Sequence, residues 1–333
     1  MISNPACFVH WIQLRDFSLA NPFKLDQGLS SNRTNPVSLA PQMSASAPLC
    51  PPLASHPRER LPIPACDSII VHGPLAVLKG DQEGLRIKKS DAAKAYQAAK
   101  FSNDMSAAMD LVDMVWDEGK EDAIIDRLMD AGKRPIYVLP HPAFDDEDAI
   151  DGTAGMRDGP VNAIPFAHAA RLAEAIGGEI DNEITQKARV GRTKLNRFQR
   201  FLWQPSFVGD ISTDRPYVLV DDAFTLGGTL ANLASYILAG GGTIACATAL
   251  AHKAAKDVPF ALTQDTLYTL KTEYGPDIDR FWKDAIGHEA AKLTDAEGSF
   301  LVDWWRSEQS KHDGYEGLQL LRNRLLKVRD QGE

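Results

Sequence analysis

Two adjacent acids, Asp221 and Asp222, close the apolar run Tyr217-Val218-Leu219-Val220. A short turn with two threonines and two glycines follows, Thr225-Leu226-Gly227-Gly228-Thr229. A helical apolar pattern then begins at Leu230 and continues through Leu233, Ala234, Ile237 and Leu238. A buried strand, a tight loop and a helix N-terminus in that order make an anion site. Backbone N–H groups and the positive end of the helix dipole point into such a loop, and glycines let a phosphate approach the backbone. Acids at the strand end suit sugar hydroxyls and a magnesium-bound ligand. The alternative is an ordinary βα turn with a solvated acid pair.

A second constellation lies upstream. Between Gln186 and Gly209 stand Lys187, Arg189, Arg192, Lys194, Arg197 and Arg200, with no acid among them and Gly191 interrupting the run. A mobile basic loop beside a phosphate site can close over a diphosphate and exclude water. A solvated basic surface or an RNA patch is the other reading of the same residues.

The stretch Tyr217–Leu230 resembles the 5-phosphoribosyl-1-pyrophosphate (PRPP) motif of type I phosphoribosyltransferases: four apolar residues, two acids, two mostly apolar residues, then Thr-Thr-Gly-x-Thr. Leu226 stands where Thr or Ala is usual. Further landmarks are Tyr96…Lys100, Pro140-His141-Pro142, Arg157 to Asn162, Leu172-Ala173, Arg192-Thr193 and Arg197…Arg200. With them the chain is similar, over about residues 92–252, to the competence protein F group of that family. It departs from the group in lacking an opening cysteine-rich zinc cluster. It also has Arg157-Asp158-Gly159-Pro160-Val161-Asn162 in place of Arg-Gly-Phe-Asn.

The resemblance implies a phosphoribosyltransferase, a glycosyltransferase that binds PRPP with Mg2+ and transfers phosphoribose to an acceptor with release of pyrophosphate. Asp221 and Asp222 would be its catalytic acids, held against the ribose. Thr225, Leu226, Gly227, Gly228 and Thr229 would wrap the 5-phosphate. Pro140, His141, Arg157, Arg189, Arg192 and Lys194 would meet the pyrophosphate, although His141 reads equally as a turn residue. Mg2+ would arrive with PRPP, with no direct protein ligand. Positioning and electrostatics would dominate the chemistry. Thr225 stands where enzymes acting on 6-oxopurines carry an Asp, which argues against hypoxanthine or guanine as acceptor. The partners are then PRPP and a small-molecule acceptor, with a homodimer open. Two other readings are a PRPP- or nucleotide-sensing module and, by group analogy alone, a DNA-uptake accessory protein.

Composition sets the frame for these residues. The chain has 333 residues, a net charge of −9 and 44% hydrophobic content, enough to bury a large core. Its acidic balance argues against general nucleic-acid binding. Cys7, Cys50, Cys66 and Cys246 are scattered, so neither a zinc cluster nor a disulfide scaffold is expected. No apolar run is long enough to span a membrane, and reduced cysteines point to the cytoplasm. Residues 1–62 hold nine of the 20 prolines and five basic against three acidic side chains, with no sustained periodicity. Such a segment is expected to be disordered, or to precede the real start of translation.

The elements that position the acids follow from periodicity. Asp67–His72, Pro135–Pro140, Glu179–Thr185, Tyr217–Val220 and Thr243–Ala251 read as strands. Residues 90–130, 163–175 and 230–239 read as helical, with Ser102 and Asp104 as caps and glycines at 132, 177–178 and 240–242 as stops. Strands alternating with helices predict an α/β fold: a type I phosphoribosyltransferase-like parallel sheet flanked by helices, with ligands at the carboxyl ends of its strands. The domain boundaries expected are 1–62, 63–252 and a helical extension, 253–333. Thr263 and Thr294 read as helix caps in that extension, and Trp304-Trp305 as core rather than as a binding face.

Overall fold

The strand that carries the acid pair lies in the middle of a parallel sheet. The computed structural model of the chain describes residues 48–54, 59–63, 68–80, 88–129, 132–140, 162–186, 195–311, 314 and 316–331, all within the unit Ala47–Glu333. In chain order these residues form β1 (Ile69–Pro74), α1 (Leu75–Leu78), α2 (Lys89–Phe101), α3 (Met105–Val115), α4 (Glu118–Met129), β2 (Ile136–Val138), α5 (Ile164–Ile176), β3 (Glu179–Ile180) and β4 (Thr185–Gln186). Then come α6 (Arg197–Leu202), β5 (Phe207–Val208), β6 (Pro216–Phe224), α7 (Gly228–Ala239), β7 (Thr243–His252), α8 (Gln264–Tyr274), α9 (Ile278–Ile286), α10 (Asp295–Gln309) and α11 (Gly317–Asp330).

The fold is α/β. Five strands in the order β1-β7-β6-β2-β3 pair in parallel throughout. Helices cover both faces, so β6 is apolar on both, which explains its unbroken run Tyr217–Val220. Tyr217 and Leu219 pack with Leu230, Leu233 and Ile237 of α7. Val218 and Val220 pack with Leu172 of α5 and with Ile124 and Leu128 of α4. All four are fully buried, each worth about 1.5–3 kcal/mol relative to exposure.

The segment expected as one strand over 179–185 divides. Glu179–Ile180 joins the sheet beside β2, whereas β4 pairs antiparallel with β5. The Asp181 carboxylate accepts hydrogen bonds from the N–H groups of Glu183 (2.9 Å) and Ile184 (2.7 Å), which makes a turn where the strand would run on. Ser102 ends α2, and Asp104 is the N-cap of α3, accepting from Ala107 N. Part of the expected basic loop is also helix. Asn196 opens α6 with a capping box, and Phe198, Phe201 and Leu202 are buried.

The helices after β7 build a second core. In α9, Ile278, Phe281, Trp282, Ala285 and Ile286 recur at helical spacing and are all buried. Thr263 caps α8, and Thr294 caps α10 in a capping box with Glu297. Trp305 is buried and donates to Glu273, while Trp304 packs edge-on to Phe198. The core of these helices includes Phe198, Phe201 and Leu202 of α6, and also Cys50 and Leu53. Within the segment 1–62 expected to be disordered, residues 48–54 and 59–62 are instead packed on the fold: Leu53 N–H donates to Ala285 O, and Arg60 is buried. Residues 1–47 lie outside the described residues. Among the described residues no helix is long and apolar enough to cross a membrane.

Candidate functional site

β6 delivers Asp221 and Asp222 to the carboxyl edge of the sheet, the edge at which parallel α/β folds place ligands. The pleat sends consecutive side chains to opposite faces. Asp222 goes to the face of α2 and α5, where it is buried. Lys100 of α2 forms an ion pair with it, and Asn162 Nδ2, just before α5, donates to the same carboxylate oxygen at 2.9 Å. Two further bonds fix this geometry. Ala163 N–H donates to Ala99 O (2.9 Å), and Asn162 Oδ1 accepts from Ile164 N (3.2 Å).

The electrostatics divide the acid pair. Burial, then the neighbouring Asp222 charge, push the Asp221 carboxyl well above the usual carboxylate range. Burial works against the charge of Lys100, but Asp222 outweighs it and holds the ammonium above its ordinary range. A carboxyl that holds its proton more tightly than usual thus stands beside a fixed ion pair, an arrangement typical of functional sites. Behind it, His168 is fully buried, and its Nδ1 lies 3.2 Å from the Asp221 carbonyl oxygen.

The loop after the acids is built around the protein's own side chains. Thr225 is exposed, and its hydroxyl accepts from Arg200 Nη1 at 3.2 Å. Leu226 is buried, and its carbonyl accepts from the Thr294 hydroxyl. Gly227 adopts φ +76°, a left-handed conformation that glycine tolerates. A Cβ at Gly228 would overlap the Glu297 carboxylate. That carboxylate pairs with Arg60 at 2.6 Å, and Arg60 Nε donates to Asn232 of α7 at 3.1 Å. The close approach that Gly228 permits is therefore to Glu297. Gly228→Val is expected to cost about 1–3 kcal/mol by overpacking, measured by urea denaturation. An unchanged midpoint would mean that Glu297 moves aside freely.

The structure brings Asp221, Asp222 and residues 225–229 together. It also places Pro140, just beyond β2, at the same edge of the sheet. His141, Arg157, Arg189, Arg192 and Lys194 lie outside the described residues. Lys100 and Asn162 enter the sequence reading only as landmarks, without a role. Arg200 is counted there as part of a basic run. Thr294-x-x-Glu297 is legible as a capping box, but nothing local announces Arg60 as its partner. Among the described residues no group of three or more His, Cys, Asp or Glu side chains could hold a metal ion.

No family model matches the chain. It is 31% identical over 207 residues to Protein TraN of Escherichia coli, covering 62% of this chain and 42% of that protein. It is 36% identical over 77 residues to an uncharacterized protein of Haemophilus influenzae, covering 23% of this chain and 17% of that one. The chain thus spans less than half the length of these curated relatives. The similarity to Protein TraN, with no family model matching, overturns membership of the type I phosphoribosyltransferases and of their competence protein F group. PRPP binding, phosphoribosyl transfer and nucleotide sensing fall with it, and the DNA-uptake alternative gains no support. The reason for the misreading is physical. A strand, two acids and a glycine turn before a helix meet the needs of a βα turn at this edge, and they specify the turn without specifying a substrate.

Proposed function

We propose that the chain binds a small, oxygen-rich polar ligand at the carboxyl edge of its five-stranded sheet. Asp221, Asp222, Lys100 and Asn162 form the floor of the site, and Thr225 and Arg200 its mouth. The observation that carries this reading is the buried Lys100–Asp222–Asn162 cluster. Its members are separated by 122 and 60 residues in sequence. Burying such a pair is a poor source of stability compared with apolar packing, and charged clusters of this kind gather at functional sites. The groups at hand are mainly donors: the Lys100 ammonium, Arg200 and the Thr225 hydroxyl. A ligand rich in hydrogen-bond acceptors fits them.

A thermal-shift series with inorganic phosphate, sulfate and citrate at constant ionic strength, and glycerol as the neutral control, tests this reading. At least one anion is expected to raise the melting temperature saturably, the stabilisation reaching about 2.7 kcal/mol at 100 times its Kd. The Arg200→Ala/Thr225→Val variant should lose that response while keeping its fold. A response equal in variant and wild type, or no saturable response to any of the anions, would overturn the assignment.

A further inference from the structure

Two buried imidazoles lie behind the acid pair without a role in the site. His72, on β1, is 6% exposed, and His168 of α5 is 0% exposed. Their ring centroids lie 5.0 Å apart, edge to face. Neither Nε2 has a hydrogen-bond partner among the described residues. Trp116, at the junction of α3 and α4, stacks on His72 at 4.4 Å and meets His168 edge-on at 6.1 Å. The next residue, Asp117, directs its N–H at His72 Nδ1 in a long hydrogen bond of 3.5 Å. The junction rests directly on the strand, because a Cβ at Gly73 would stand 3.1 Å from Val115 Cβ.

We propose that His72 is a proton-operated latch: neutral, it holds the Trp116–Asp117 junction on the carboxyl end of β1, and on taking up one proton it releases that junction. The Asp117 bond requires a lone pair on Nδ1. An imidazolium has none, so protonation turns this contact into two opposed donors. The charge would also be isolated, and an isolated buried charge is costly.

The groups around the rings do not rescue that charge. From α4, Lys120 is paired with Asp257 (2.9 Å), and Glu121 accepts from Trp116 Nε1 (3.3 Å). From α5, Arg171 covers the outer face of Trp116 at 4.9 Å and reaches Asp113 of α3 at 3.9 Å. From β6, the Asp222 charge is spent on Lys100, and Asp221 presents its carbonyl to His168. The residue beside His72 on β7, Leu250, is apolar. His168 cannot share the load, since two charged rings at 5.0 Å repel.

Burial pushes the His72 imidazole down to about 4, against about 6.5 once released. The sign follows. The released form binds the proton more tightly, so release grows as the pH falls below about 6.5, and the growth levels off below about 4. Between pH 7 and pH 5 the released fraction should rise about 20-fold.

Amide hydrogen exchange of residues 116–120 in the full chain, corrected for intrinsic chemical exchange, measures this. Wild type is expected to show the 20-fold rise, and His72→Phe, which keeps the stack on Trp116, none. His288→Phe, at a buried histidine among the C-terminal helices, should behave as wild type. An equal rise in His72→Phe, or none in wild type, would overturn the latch. Should His72→Phe not fold, an NMR titration of wild-type imidazole Cε1 protons decides the matter. The latch requires a histidine that titrates between about pH 4 and 5 together with the Trp116 indole signal, and its absence sinks the proposal.

Discussion

Replacing Arg60 by alanine is expected to lower the unfolding free energy by about 3–5 kcal/mol, because it strands a buried charge. Arg60 and Glu297 side chains are only 2% and 4% exposed. Removing the guanidinium leaves Glu297 with the Thr294 N–H of its capping box, and it leaves Asn232 Oδ1 without the Arg60 donor. Urea denaturation at pH 7 gives the value. Arg329→Ala, which removes an exposed pair with Asp330, is the control and should cost under about 1 kcal/mol. A chain shortened to begin at Pro62 should lose at least as much as Arg60→Ala, since it also lacks Cys50 and Leu53 from the helical core. The composition of residues 1–62 predicts the opposite, a truncation without effect. A loss below about 1 kcal/mol for Arg60→Ala would show that Glu297 finds another partner and that the network does not hold the loop.

Lys100→Met is expected to cost a similar amount, about 3–5 kcal/mol at pH 7, for the same physical reason. Asp222 would keep Asn162 as a donor but lose its counter-charge. The distinguishing measurement is a double-mutant cycle with Asp222→Asn. The double variant buries no unpaired charge, so it should be more stable than Lys100→Met alone, with a coupling of about 0.5–3 kcal/mol. Additive losses would mean that Lys100 and Asp222 act independently and that the floor of the site is not one unit.

Those two networks also show how far the chain could be read unaided. β6, α7 and β7 are legible because one strand buried on both faces and one amphipathic helix leave strong local periods. The caps at Asp104, Asn196, Thr263 and Thr294 differ in this respect. Thr263 and Thr294 stand before clear helical patterns, whereas Asn196 is hidden in a basic run whose apolar residues, Phe198, Phe201 and Leu202, pack far along the chain. The acid pair was legible as a pair of carboxyls at a strand end. The unequal surroundings of the two, Asp221 with its carboxyl pushed up by burial and Asp222 paired with Lys100, were not, because Lys100 and Asn162 reach the pair from other elements. Arg60 was hidden for a stronger reason. In a segment rich in proline and serine a single arginine carries no local sign of burial, and only the tertiary fold supplies Glu297.

The Arg60–Glu297 bond joins residues 237 positions apart, and that span bears on biosynthesis. The N-terminal partner is made first and must wait for almost the whole chain. At 5–20 residues per second, Glu297 follows Arg60 by roughly 12–50 s. During that interval Cys50, Leu53 and Arg60 have no finished surface to dock on, while β1 through β7 can already pair. Contacts made by the earliest described residues are therefore among the last to close on the nascent protein, together with those of α11. A ribosome stalled before residue 297 should hold an assembled sheet with its leading segment still open to protease.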